Sequence, residues 1–244
     1  MRKPIGIFTI ADQNNLKFYE GLKNSLSKFH NDVELVLVGP EVLSKNKDPL
    51  FFYRATPTIG LQLLEEYETV VKIDADSVIC SRLDEAWNSD FDIGVVLNSN
   101  PREMKKLIVT VFDIEPIKYL NCGFVVMKNK KFVEKWLELC RSPHFDHYQY
   151  KEQDILNLMC EFGGWKTKVL DGENGFYGLS GKGYWSDCVL KDDKIMLPKN
   201  EEWNQKDVQI KVIHYAGGND PQKGNHKLYF SDEVCQKIDQ LLSQ

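Results

Sequence analysis

The stretch Thr69 to Ile79, TVVKIDADSVI, constrains this chain more than any other. Its first five residues, Thr69-Val70-Val71-Lys72-Ile73, are β-branched apart from one lysine. They are too few for a helix and fit a buried strand of a parallel sheet. Two aspartates, Asp74 and Asp76, follow at once. Strand tips at the carboxyl edge of an α/β sheet open into the crevice where ligands bind. Alternation along an extended chain points both carboxylates to one side, where they can share a cation or approach the phosphates that it carries. An acidic turn with solvated carboxylates satisfies the same residues, because so short a motif recurs by chance. The rest of the chain has to decide.

The flanks read as alternating strands and helices. Ile5 to Ile10 fits a strand and Ala11 to Asn15 the loop leaving its tip. Leu16, Tyr19, Leu22, Leu26 and Phe29 then recur at helical spacing, and Val33 to Val38 fits a second strand closed by Gly39-Pro40. This is a βαβ unit of Rossmann type without GxGxxG, so a dinucleotide fold is not indicated. Thr56 as N-cap and Pro57 in the first turn predict a helix to about Tyr67, feeding the aspartate strand. A short helical turn follows at 83–87, a strand at 92–97 and a helix face at Met104, Leu107, Ile108 and Val111. Beyond them come a strand at 119–127, helices at 131–140 and from Glu152, and a strand at 165–170. An alternating strand at 208–213 delivers His214 at its tip, and a closing helix spans 231–242.

The 244 residues fit one α/β domain, with a nucleotide-binding half at about 1–100, an acceptor-side half at about 101–230 and the closing helix at 231–242. Hydrophobic residues make up 42%, with no low-complexity tract, so the chain is expected to fold throughout. A net charge of -5 gives no general attraction to nucleic acid or anionic lipid. Ile5 to Ala11 is too short for a transmembrane segment. Six cysteines without a CxxC pair suggest reduced thiols in the cytoplasm.

Several further segments carry candidate chemistry. Asn121-Cys122-Gly123 opens an otherwise apolar strand, where glycine admits a ligand to the backbone and asparagine can bond it; a β-bulge with a satisfied asparagine accounts for the same residues. Glu152-Gln153-Asp154 stands at a helix start, which acidic residues favour for the helix dipole alone. His144 and His147 have no third metal ligand nearby and read as a surface loop. The segment Asp171 to Asp187 holds five glycines and four aromatics among 17 residues, which suits either a flap over a ligand or tight turns over a core edge.

Taken in order, TIAD at Thr9 to Asp12, DAD at Asp74 to Asp76, LNCGFVVM at Leu120 to Met127, EQDILN at Glu152 to Asn157 and HYAG at His214 to Gly217 resemble the GT-A nucleotide-sugar glycosyltransferases. The resemblance is strongest to the retaining glycogenin-like and galactosyltransferase-like group, family 8. It implies a Rossmann-like, mostly parallel central sheet flanked by helices. It also implies a metal-dependent hexosyltransferase that uses a UDP-sugar, UDP-glucose or UDP-galactose, with retention and with an unknown acceptor. Manganese, or magnesium, would be held by Asp74, Asp76 and His214. Thr9, Ala11 and Asp12 would surround the base and ribose, with Ala75 between the two metal-binding aspartates. Asn121 would lie near the donor sugar, Gln153 and Asp154 beside the anomeric carbon or the acceptor, and Gly217 against the phosphates. Gln153, Asp154 and Asn121 are the catalytic candidates. The group's usual xxKPW continuation is absent, and Lys223 stands three positions late for its lysine. Its basic residue upstream of DxD is also displaced: Pro57 or Thr58 occupies that place, and Arg54, slightly earlier, is the nucleotide-sugar-binding candidate in its stead, as Lys223 is for the lysine.

Asp74-Ala75-Asp76-Ser77-Val78 also satisfies the DxDx(T/V) pattern of haloacid-dehalogenase-like phosphatases, where the first aspartate attacks phosphate and Lys191-Asp192-Asp193 would supply the remaining groups. That nucleophile normally ends the first strand of its sheet, whereas a βαβ unit and another helix precede it here. A sugar-nucleotide-binding protein without turnover, or a non-catalytic interaction module, completes the alternatives.

Overall fold

The central sheet is built from β1 (Lys3–Ile10), β2 (Leu35–Val38), β3 (Tyr67–Ile73), β5 (Ile93–Leu97), β6 (Leu120–Met127) and β7 (Thr167–Val169), in the order β2-β1-β3-β6-β5-β7. In this computed structural model residues 2–98, 119–172, 175–178, 185–198, 207–215 and 225–243 are described. β6 runs opposite to its neighbours, and the other five strands are mutually parallel. Both faces are apolar because both are covered. Phe8, Val70 and Val125 pack with α3 (Phe51–Leu63), α5 (Lys130–Cys140) and α6 (Glu152–Phe162) on one side. Their neighbours Ile7, Val71 and Val126 pack with α1 (Tyr19–Ser27) and α4 (Asp84–Trp87) on the other.

A second layer positions the site. β4 (Ser77–Ile79), directly after the aspartates, pairs antiparallel with β11 (Val212–His214), and Ser77 lies opposite His214. α7 (Asp232–Leu242) covers this ladder through Val234, Ile238 and Leu241, in a cluster with Val78 and Ile213. The predicted strand over 208–213 is therefore divided. β10 (Val208–Gln209) pairs with the hairpin of β8 (Val189–Lys191) and β9 (Lys194–Leu197), while β11 turns to β4.

Local chemistry moved several boundaries. α3 begins at Phe51 rather than at the expected cap Thr56, because Asp48 Oδ1 accepts the Leu50 N–H at 2.9 Å and starts the turn upstream. Pro57 then lies inside the helix, where it can donate no backbone bond. α3 ends at Leu63, so Tyr67 opens β3 instead of closing a helix. Leu16 to Phe18 form a 3-10 turn ahead of α1, and the connection after Gly39-Pro40 contains α2 (Pro40–Lys45). The predicted helix face at 104–111 lies outside the described residues. In the glycine-rich segment, Gly172 and Gly175 adopt φ of +150° and +142° in a tight bridge. Phe176 and Tyr177 are buried there against the core, and residues 173–174 and 179–184 of the segment lie outside the described residues. His144 and His147 are exposed.

At the start of β6 the register against β5 slips, with Val95 opposite Val125 but Val96 opposite Asn121. Side chains of α6 satisfy the backbone there. Asn157 accepts the Leu120 N–H at 2.6 Å and donates to the Leu120 carbonyl at 2.9 Å, while Gln153 Oε1 accepts the Cys122 N–H at 2.9 Å. Residues four apart share one helix face, and residues two apart in a strand share one edge; the two spacings match. Asn157→Ala strips both polar groups of Leu120 of these partners, and the expected loss is about 2 to 4 kcal/mol in urea unfolding. A loss under about 0.5 kcal/mol would show that the bulge does not depend on α6.

Candidate active site

Asp74 and Asp76 leave the tip of β3 on the same side, as alternation predicts, because Ala75 turns inward against Ala11 and Phe18. The backbone holds each in place. The Asp74 N–H donates to the Gly123 carbonyl at 2.8 Å, and the Tyr215 N–H to the Asp76 carbonyl at 2.9 Å. The second contact ties the aspartate loop to β11 and brings in His214, whose Nε2 lies 3.2 Å from Asp74 Oδ2 and 3.3 Å from Asp76 Oδ1. One ligand atom from each of the three residues falls within 4.8 Å of the others. Two hard carboxylates and an imidazole suit a divalent cation such as manganese or magnesium.

Gly123 makes this approach possible. A Cβ there would overlap the His214 ring and come within 2.7 Å of the Asn121 amide oxygen. Asn121 Oδ1 accepts the Gly123 N–H at 2.6 Å, which pins the turn of the bulge. The bulge and the satisfied asparagine are thus present, and they form part of the site. A cleft of about 310 Å³ opens above the cluster, lined by Asn15, Phe52, Thr56, Asn121, Glu152 and Gln153 among others.

Lys72 and Glu152, present in the DAD strand and the EQDILN motif but given no role of their own from the sequence, belong to this cleft. Lys72 is 4% exposed; its Nζ donates to Asp74 Oδ1 and, at 2.8 Å, to the Cys122 carbonyl. The signal lay in the sequence: a lysine inside an apolar strand, two residues from an aspartate, has to be paired. Glu152 Oε2 is buried without a hydrogen-bond partner among the described residues, and burial pushes its carboxyl up to about 8. Burial disfavours charge on His214, yet Asp76 and Asp74 outweigh it and raise its pKa to about 10. Burial alone would raise the Asp74 pKa, but the Lys72 ammonium and His214 hold it well below the usual carboxylate range.

Other expected residues lie elsewhere. Asp154 does not face the cleft: its carboxylate accepts the Tyr119 hydroxyl and, at 2.8 Å, the Tyr150 N–H. Its neighbour Gln153 takes the cleft side, because consecutive helix positions point about 100° apart. Arg54 donates to Asp48 at 2.6 Å and to the Cys140 carbonyl at 2.7 Å, and covers the Phe145 ring, so it braces α3 against α5 away from the cleft. Asp12 Oδ1 accepts the Asn14 and Asn15 N–H groups at 3.0 and 2.9 Å, which closes the turn after β1. Thr9 is fully buried. Gly217 and Lys223 lie outside the described residues. Asp192 and Asp193, needed for the phosphatase reading, sit in the β8–β9 turn beside a separate depression with Arg82 and Lys237.

Gly123→Ala is expected to leave the fold intact but to displace His214, giving at least about a tenfold loss in divalent-ion affinity by calorimetry; unchanged affinity would refute the cradle. In the ion-free protein, stability should also depend on pH. His214, raised from 6.5 to about 10, contributes fully below pH 6.5 and loses its contribution as pH rises through about 10. Glu152, raised from 4.5 to about 8, loses its contribution between those values. Asp74, lowered from 3.8, contributes above pH 3.8 and loses its contribution as pH falls further. The unfolding temperature should therefore decline from pH 6.5 to 9, less steeply in Glu152→Gln and His214→Gln; equal slopes in all three proteins would contradict the assignment.

No curated protein sequence matches the chain significantly. Solved structures do. The galactosyltransferase LgtC, in complex with donor and acceptor sugar analogues, superposes with a TM-score of 0.63 at 15% identity, covering 97% of this chain and 95% of that one. The bifunctional glycosyltransferase WbbM gives 0.62 at 14% identity, over 99% of this chain but only 52% of its own. A glycosyltransferase involved in glycosylating the major capsid of PBCV-1 gives 0.56 at 11% identity, over 93% and 98%. These likenesses establish the GT-A fold. The model of glycosyl transferase family 8 matches residues 15–222, which sets aside the phosphatase reading: the chain belongs to glycosyl transferase family 8.

Proposed function

We propose that this glycosyltransferase moves a hexose from a UDP-sugar, UDP-glucose or UDP-galactose, to an acceptor with retention of anomeric configuration, and that Asp74, Asp76 and His214 hold manganese or magnesium. The observation that carries the reading is the convergence of these three ligand atoms at the floor of a cleft walled by Asn121, Glu152 and Gln153. When bound, the cation would supply positive charge to the departing nucleoside diphosphate.

The remaining roles fall to the chain itself. The tip of β1 lies beside the aspartate loop through the Ala11–Ala75 contact, which supports Thr9, Ala11 and Asp12 as the base and ribose side. Gln153 Oε1 is oriented by the Cys122 N–H and keeps a second lone pair, so it and the Asn121 amide are the acceptors that would face an oxocarbenium-like centre. Asp154 acts behind them by fixing Tyr119, whose hydroxyl accepts from Gln153 Nε2 at 3.2 Å. Burial pushes the Glu152 carboxyl up to about 8, and in its protonated form it can donate a hydrogen bond into the cleft. Gly217 is the proposed backbone contact to the phosphates, and Lys223 would replace the group's usual lysine from three positions later. We read all 244 residues as one domain. None of the six cysteines is in a disulfide, which fits a reducing cytoplasm, and no helix among the described residues is long and apolar enough to cross a membrane.

The test is thermal unfolding with UDP, with manganese and with both, followed by UDP release from UDP-glucose and UDP-galactose. At about 100 times the dissociation constant, linkage stabilises by roughly 2.7 kcal/mol, a rise of about 5 to 10 degrees for a chain of this size. The rise should require both ligands and vanish in Asp76→Asn. No rise with any nucleotide would end the reading, and a rise without sugar release would leave a binding protein rather than an enzyme.

A further inference from the structure

Among the described residues that line the cleft, Lys72 is the only lysine or arginine, and it touches the aspartate that the proposed metal site needs. Its position is set from several directions. β3 holds its backbone between β1 and β6, opposite Phe8 and Val125. Its ammonium is shared between Asp74 Oδ1 and the carbonyl of Cys122, and the Cys122 amide is itself held by Gln153. Asp74 is fixed as firmly, since its N–H is bonded to the Gly123 carbonyl.

The two oxygens of Asp74 therefore have different surroundings. Oδ1 accepts from the buried ammonium, and Oδ2 faces His214 and the cluster at 3.2 Å. Turning the carboxylate so that both oxygens meet one ion would take Oδ1 from an ammonium that is only 4% exposed and has the Cys122 carbonyl as its other acceptor. Breaking a charge-assisted bond to a buried ammonium is unfavourable, and with 4% exposure the ammonium has little solvent to turn to instead. Calcium is bound by many oxygens and commonly takes a carboxylate with both; smaller six-coordinate ions accept one oxygen from each carboxylate.

We infer that Lys72 is a positioning residue that makes Asp74 a one-oxygen ligand and so turns the Asp74–Asp76–His214 cluster away from calcium and toward smaller divalent ions. The inference rests on the metal reading of this cluster. Lys72 acts through Asp74, and its effect is on the ratio of ion affinities rather than on binding as a whole. Loss of packing alone would weaken both ions together and leave that ratio in place.

The experiment is calorimetric titration of the full chain, stripped with chelator, with manganese chloride and with calcium chloride, each with and without UDP. Wild type is expected to bind manganese at least about tenfold more tightly than calcium, Lys72→Met to lose that preference by about tenfold, and Lys72→Arg, which keeps a cation on Oδ1, to retain it. A wild type that binds calcium as tightly as manganese overturns the inference whatever the variants do. A folded Lys72→Met with the wild-type ratio overturns it too. A wild type that binds neither ion, with or without UDP, removes the metal reading itself and this inference with it.

Discussion

Four charged or chargeable groups, Lys72, Asp74, Asp76 and His214, meet at the end of β3, the lysine and histidine buried and the two aspartates partly exposed to the cleft, and the surrounding structure is organised to keep them paired. A buried charge without a partner is strongly unfavourable, so each group depends on its neighbours being held in place. The backbone does the holding: Asp74 is tied to β6, Asp76 to Tyr215, and Lys72 to the carbonyl of Cys122. An ion placed there would enter a site whose carboxylates are already oriented, which is what positions a reactive group without rearrangement.

The β6 bulge is the second half of this arrangement. It opens a strand where the sheet would otherwise be continuous, and the exposed backbone is returned to satisfaction by Gln153 and Asn157 of α6. The same bulge presents Asn121 to the cleft and leaves at Gly123 the space that the His214 ring fills. One irregularity thus joins the wall, the floor and the helix behind them. Glu152 and Gln153 reach the cleft from the first turn of that helix, while Asp154 on the next position is drawn into the Tyr119 and Tyr150 contacts.

Much of this was legible from residues. The β-branched run before Asp74, the helical repeat from Leu16 and the apolar run through Met127 each carry a local periodicity, and each became the expected element. Boundaries were less legible where a single side chain overrides propensity. Asp48 starts α3 before Thr56 can, and the 208–213 segment is cut because its two ends pair with different partners. The roles of Arg54 and Asp154 were not visible because both depend on who stands across from them, Asp48 and Cys140 for one and Tyr119 for the other.

By itself the sequence determined that an α/β sheet would present two aspartates on one side of a strand tip, because alternation and apolar runs are properties of neighbouring residues. Only the tertiary structure decided which distant groups meet them. Asp76 and His214 are brought together by the pairing of β4 with β11, and Asp74 and Cys122 by the pairing of β3 with β6. Such pairings are fixed by the burial of whole strands and by the satisfaction of their backbones, and no single segment carries that information.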